Sequence, residues 1–507
     1  MGGNIRITFV AMGAENVSLE YLSAVLKEKG HEVSLAFDRA LFDDKAYFPI
    51  PFLARLFNYR MKVVEEIIES KPDLIGFSVF VDNYLWALEI AGKVKKYLNI
   101  PIVFGGIHPT TVPEKVIQRE EVDIICLGEG EYPFLELVEA MANGHIDYHI
   151  KNLWFKNNGN IIRNPIRPLI ENLDELPMPD KALFEKVILI KDYYLTVTSR
   201  GCISACAYCS QNFLRKWEKG KGRPLREKSV DNVIKELKVM QEKYRFKRVD
   251  IKNNILSGSK KWIFEFAEKY KKEIEVPFRI MGHPRIITYE NMKVLKDAGL
   301  WHVQMGVESL NPDIRKKLLG RHESNEQIFK ALKAMDDAGV HYSVDVMVGL
   351  PGECEQDLIL ALKTFSRCRN LIRASIFWLV YLPGVDITHM ARERGFLTES
   401  ELENIEEGGQ ENYLSTGSVK PGERMVNLKN YHLLFRLLPI TPRQVINVIL
   451  RYNLHRVFRF MPQKLILIIV DIAVSFLVKD HYALFAMKSY LWEIKRRITK
   501  RFCIFSN

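Results

Sequence analysis

Short apolar, β-branched runs alternate with amphipathic helical stretches along two separate parts of this chain, and that alternation leaves few folds open. In the first part, residues 6–12, 31–37, 73–79, 102–104 and 123–127 read as strands, and 19–29, 60–70, 84–97 and 132–141 as helices. Near-continuous apolar strands separated by helices predict a doubly wound, Rossmann-like parallel sheet, which binds ligands beyond the carboxyl ends of its strands. In the second part, six strand-like segments (194–198, 248–252, 278–281, 302–306, 341–348 and 376–382) alternate with helical ones that include 230–244, 291–298, 326–338 and 355–368. Six repeats fit a partial (β/α)6 barrel of the TIM type, with its chemistry at the same ends of the strands.

A chain of 507 residues exceeds one ordinary core. The expected division is an α/β domain over 1–150, a linker over 151–190, the barrel over 191–395 and a basic, mostly helical domain over 396–507. Seven cysteines without a paired framework, and no signal-peptide pattern at the start, suit a reducing, cytoplasmic setting. From Pro421 onward fifteen Lys and Arg stand against four acids, so this tail carries the whole net charge of +11. The apolar run 465–478 is too short and too interrupted to cross a bilayer. Aromatic and aliphatic helix faces beside many cations suit peripheral contact with the inner face of a membrane, the alternative being a solvated basic face over a packed helical subdomain. No recognised nucleic-acid module is present, so no nucleic-acid partner is expected.

Three cysteines, Cys202, Cys206 and Cys209, follow the first barrel strand in a C-x3-C-x2-C pattern. Thiolates select zinc, copper(I) or iron–sulfur clusters. Zinc would want a fourth Cys or His close by, and the next His downstream is His283. A four-iron cube held by three thiolates keeps one iron open for a substrate or cofactor.

At these residues, with Tyr208 just before the last Cys, the chain resembles the radical S-adenosylmethionine (SAM) superfamily. That resemblance implies a four-iron four-sulfur cluster held by Cys202, Cys206 and Cys209 as catalytic and metal-binding residues. It also implies SAM chelated to the open iron and split to a 5'-deoxyadenosyl radical by one electron from a reductant such as flavodoxin or ferredoxin. Gly306-Val307-Glu308-Ser309 is similar to the family segment whose acid contacts SAM, and Gly349-Leu350-Pro351-Gly352-Glu353 to the turn on the adenine side. Tyr208, Glu308, Gly349, Pro351 and Gly352 are thereby implied as SAM-binding.

Unusual residues also cluster at the strand ends of the first part: Ser78, the Gly105-Gly106-Ile107-His108 loop, and Gly128-Glu129-Gly130. Together with the linker 171–180 they resemble the subgroup whose barrel is preceded by a cobalamin-binding domain, which includes anaerobic magnesium-protoporphyrin ester cyclases, hopanoid-modifying enzymes and class B methylases. The resemblance implies that Ser78, Gly105, Gly106, His108, Glu129 and Gly130 help hold cobalamin.

Two departures stand out. Residues 14–18, Ala-Glu-Asn-Val-Ser, lack the Asp-x-His-x-x-Gly that supplies cobalt with a lower ligand, and Asn253-Asn254 replaces an acidic pair. Arg279 and His283 are expected to point toward the barrel cavity, Arg279 as a partner for a carboxylate of SAM or substrate. The expectation is an enzyme that methylates or rearranges an unactivated carbon of an apolar small-molecule or lipid-like substrate. A radical SAM enzyme without cobalamin, and a non-catalytic metal-binding scaffold at the membrane surface, are the alternatives.

Overall fold

The computed structural model describes residues 3–43, 50–409, 417–419, 428–461 and 463–504; most of the turn-rich stretch at 415–422 lies outside them. Its first sheet has the order β2-β1-β3-β4-β5-β6-β7. The strands are β1 (Arg6–Met12), β2 (Glu32–Asp38), β3 (Leu74–Ser78), β4 (Ile102–Gly105), β5 (Ile124–Cys126), β6 (Leu153–Asn157) and β7 (Asn160–Arg163). β1 to β5 pair in parallel. Both faces are covered: along β1, Ile7, Phe9 and Ala11 enter one apolar cluster and Val10 the other. The chain order reverses between β1 and β3, where such sheets open a crevice.

The antiparallel pair β6 and β7 carries this sheet past the expected boundary at 150. Asn158 and Gly159 both adopt positive φ, 48° and 79°, and close the tight hairpin that joins them.

The second sheet holds six parallel strands in the order β15-β14-β13-β12-β11-β8. They are β8 (Tyr194–Thr196), β11 (Val249–Ile251), β12 (Phe278–Gly282), β13 (Leu300–Glu308), β14 (His341–Val348) and β15 (Leu371–Trp378), while β9 (Ser199–Gly201), just past the end of β8, pairs antiparallel with β10 (Leu225–Glu227). This is the expected partial barrel. The described part of the C-terminal region is helical and doubles back. Its last helix, His481–Ile504, sets Tyr482 against Tyr193 and Arg279, sets His481 edge-on to Trp301, and carries Arg497 to Asp38 of the first sheet at 2.9 Å. The strand starts of the barrel are thereby plugged, and its open end faces the first sheet. Much of the basic tail is spent internally, since Lys488 pairs with Asp192 and Arg497 with Glu493 as well as Asp38.

The linker is held from both sides. Lys181, fully buried, donates to Glu15 (2.8 Å), Glu20 (2.7 Å) and the Leu195 carbonyl (2.6 Å), so one ammonium joins the first domain to β8.

Candidate active site

The cysteine loop begins at Gly201, the last residue of β9. Its φ of +88° and the Pro224 carbonyl, 1.7 Å from where a Cβ would stand, admit only glycine. Two backbone bonds clip the loop down: Ala207 N–H donates to the Leu319 carbonyl and Ile387 N–H to that of Ala207, each at 2.9 Å. Cys206 is buried, Cys202 and Cys209 half-buried. Burial pushes the Cys206 thiol up to about 11, and nearby Cys209 adds to the rise. Cys209 is raised by burial too, with Cys202 adding to it, against the backbone amides of Gln211 and Asn212 at a helix start. Among the described residues no three Cys, His, Asp or Glu side chains converge tightly enough to hold a single ion.

A charged relay backs this loop. Ser204 Oγ lies 3.0 Å from His283 Nε2, which is 3.0 Å from Glu323. Arg321 reaches Glu323 (3.3 Å), Glu308 (3.6 Å) and the Tyr208 hydroxyl (3.4 Å), and donates to the Gly306 carbonyl (2.9 Å). Glu308 ends β13 at a register shift, with a φ of +64° that a non-glycine residue adopts at a cost of about 1–2 kcal/mol. Burial raises its carboxyl to about 7, against the pull of Arg321. In the next loop Gly349 has φ +71° and Gly352 φ +81° with open space around it; Gly349 N–H donates to Glu353 at 2.8 Å, and burial drives Glu353 to about 8. Pro351 stands half-buried between them.

Between the two sheets lies a cavity of about 380 Å³. Ser78, Gly105, Gly106 and Gly128–Glu131 form its wall on the first domain, and Arg200, Gly201, Gln211, Leu214, Glu218 and Lys252–Asn254 on the other. Gly106 (φ +106°) could not carry a Cβ, which would stand 2.8 Å from the Val79 carbonyl. Ser78 accepts from Asn16 at 2.8 Å. Burial lifts Glu218 to about 7. Glu129 is already committed: it accepts from Arg200 (3.0 Å), Arg226 (2.8 Å) and the Ile170 amide (2.8 Å).

Residues 196–365 match the radical SAM superfamily and residues 5–138 match the B12 binding domain family. This is a radical SAM protein with a B12-binding domain ahead of its barrel. An uncharacterised methyltransferase of Pyrococcus horikoshii is 27% identical over 68% of this chain and 72% of its own length. Cytidylyl-2-hydroxyethylphosphonate methyltransferase of Streptomyces wedmorensis is 24% identical over 67% and 69%. Among solved structures, the cobalamin-dependent SAM radical enzyme OxsB superposes with a TM-score of 0.66 at 16% identity, over 98% of this chain and 81% of its own. The radical SAM methyltransferase TsrM of Kitasatospora setae gives 0.62 at 15%, over 77% and 78%.

The family implies a four-iron four-sulfur cluster, SAM and cobalamin, and the radical SAM protein has places that fit them. The Cys206 and Cys209 thiols resist ionisation through burial and the repulsion of a neighbouring thiolate, a penalty that a polycationic iron centre would remove. The crevice at the β1/β3 reversal is walled by glycine loops and lined by Phe77, Phe80 and Ile107 as well as by polar groups, as a large amphipathic macrocycle requires.

Several expectations need correction. His108 does not line the cavity: it is 1% exposed, packs on Tyr84 at 4.2 Å between ring centroids, and neither ring nitrogen has a hydrogen-bond partner among the described residues. A short helical turn at Ile107–Thr111 rotates it inward. Arg279 belongs to the barrel's plugged base, with Asp250 at 3.3 Å, Gln304 at 2.7 Å and the Tyr482 ring centroid at 3.8 Å, because it is the second residue of β12 and not the last. Asn253 ties strand ends together, accepting from Thr198 N–H at 2.8 Å. Sequence reading missed Arg200, Arg226, Arg321 and Glu323; Arg200, two residues before Cys202, carried the only local signal.

Proposed function

We propose that this protein is a cobalamin-dependent radical SAM methyltransferase acting on an unactivated carbon of an apolar substrate. The observation that carries the reading is the cavity at the meeting of two sets of strand ends, glycine loops of the B12-binding domain on one wall and the cysteine loop's flanks, Gly201 and Gln211, on the other. When bound, SAM and the cluster supply one-electron cleavage of a sulfonium, and cobalamin supplies methyl transfer. In this reading Cys202, Cys206 and Cys209 hold the iron centre, and the Ser204–His283–Glu323 contacts fix the loop that presents them. Arg321 neutralises Glu308 and stands ready for the SAM carboxylate. Tyr208 and the Gly349–Gly352 turn, whose open Gly352 allows close approach, hold the rest of SAM. Gly105, Gly106 and Gly130 offer backbone to the corrinoid, and Ser78 a hydroxyl. Glu129 acts at one remove, by docking the two domains. Residues 14–18 carry no His, so this loop would not supply the imidazole of the Asp-x-His-x-x-Gly motif to a bound corrinoid. On the barrel side of the cavity Leu214 suits an apolar substrate, and flavodoxin or ferredoxin suits the electron supply.

The test is anoxic reconstitution with iron, sulfide, hydroxocobalamin, SAM and a low-potential reductant. Corrinoid absorbance retained after desalting, with 5'-deoxyadenosine or S-adenosylhomocysteine formed and both products lost in Cys206→Ala, is expected. SAM left intact would overturn the reading, and SAM cleavage without corrinoid retention would remove cobalamin from it.

A further inference from the structure

Between Arg443 and Met461 the chain holds four arginines and no acid. The segment folds as a helix, Arg443–Arg451, running into a 3-10 helix, Leu454–Phe460. Three residues per turn stack every third side chain in a row. Leu454, Val457 and Phe460 fall in one such row and are 49%, 56% and 76% exposed. Arg456 and Arg459 fall in the row beside it. On the preceding helix and its cap Val445, Val448 and Tyr452 follow at i, i+3 and i+7, also exposed, while Ile446 and Leu450 turn into the core. Arg443, Arg451 and Arg459 are exposed, and the last lies over the Phe460 ring at 4.6 Å.

We infer that this surface is a docking face for an anionic phospholipid bilayer, the apolar rows entering the headgroup boundary and the guanidiniums pairing with lipid phosphates. A second copy of the chain fits poorly, because a two-fold contact would set arginine against arginine. The inference adds a place of action to the proposed function, yet vesicle binding needs neither cluster nor SAM, so the two fail separately.

The full chain is sedimented with vesicles of phosphatidylcholine alone or mixed with equal parts of phosphatidylglycerol, at low and raised salt. Salt-sensitive binding to the mixed vesicles alone is expected. It should fall about thirty-fold in Arg451→Ser/Arg459→Ser and at least about ten-fold in Val457→Ser/Phe460→Ser. All four positions are exposed, so folding is kept. The proposal is overturned if the wild type stays in the supernatant with both vesicles, if binding ignores the arginine pair, or if the apolar pair instead dissolves a self-associated species and leaves vesicle binding unchanged.

Discussion

Arg200, two residues before Cys202, donates to the Glu129 carboxylate at 3.0 Å across the seam between the two sheets, and its other nitrogen reaches Glu131 at 2.5 Å. The loop that would hold the iron centre is thus moored to the domain that would hold the corrinoid. Removing the guanidinium leaves Glu131, 4% exposed, without its cation. Arg200→Ala should lower stability by about 3 kcal/mol, read by urea unfolding, and Arg200→Lys should recover part of it.

Gly201→Ala tests the same loop from its backbone. A Cβ 1.7 Å from the Pro224 carbonyl forces β9 and β10 apart. Iron uptake on reconstitution should be lost, with stability reduced by about 3 kcal/mol or more.

Glu353 predicts a pH dependence. Burial raises its carboxyl from 4.5 to about 8 in the fold. Its contribution to stability is therefore complete below pH 4.5 and is lost progressively as pH rises through about 8, by up to about 5 kcal/mol. In thermal melts of the protein without SAM, Glu353→Gln should flatten the fall in melting temperature between pH 5 and 8, a window set by the raised carboxyl.

His108 predicts the opposite slope. Burial holds its imidazole down to about 4, so stability is complete above pH 6.5 and is lost as pH falls through about 4. His108→Phe should remove that acid limb and leave corrinoid uptake unchanged, because the ring faces Tyr84 and not the cavity. Loss of corrinoid in this variant would restore a binding role to His108.

Tyr482 closes the barrel's base over Arg279. Tyr482→Ala should cost about 2 kcal/mol by denaturant titration and leave the cysteine loop's iron capacity intact.

The amino-acid order by itself determined the parallel strands of both sheets, the class of fold and the cysteine spacing. Those signals are local: apolar periodicity, glycine turns and three thiols within eight residues. The hairpin at Asn158–Gly159 was equally local and was passed over. The pairing of Arg200 with Glu129, 71 residues apart, was decided only when the sheets docked, and that of Arg321 with Tyr208, 113 apart, only when the barrel's loops came together, since a charged side chain carries no mark of which distant loop will face it. The same holds for direction. His108 and Arg279 sit on segments the sequence placed well, yet one helical turn and two residues of strand position aim them away from the cavity, because side-chain orientation follows backbone geometry that composition and spacing leave open.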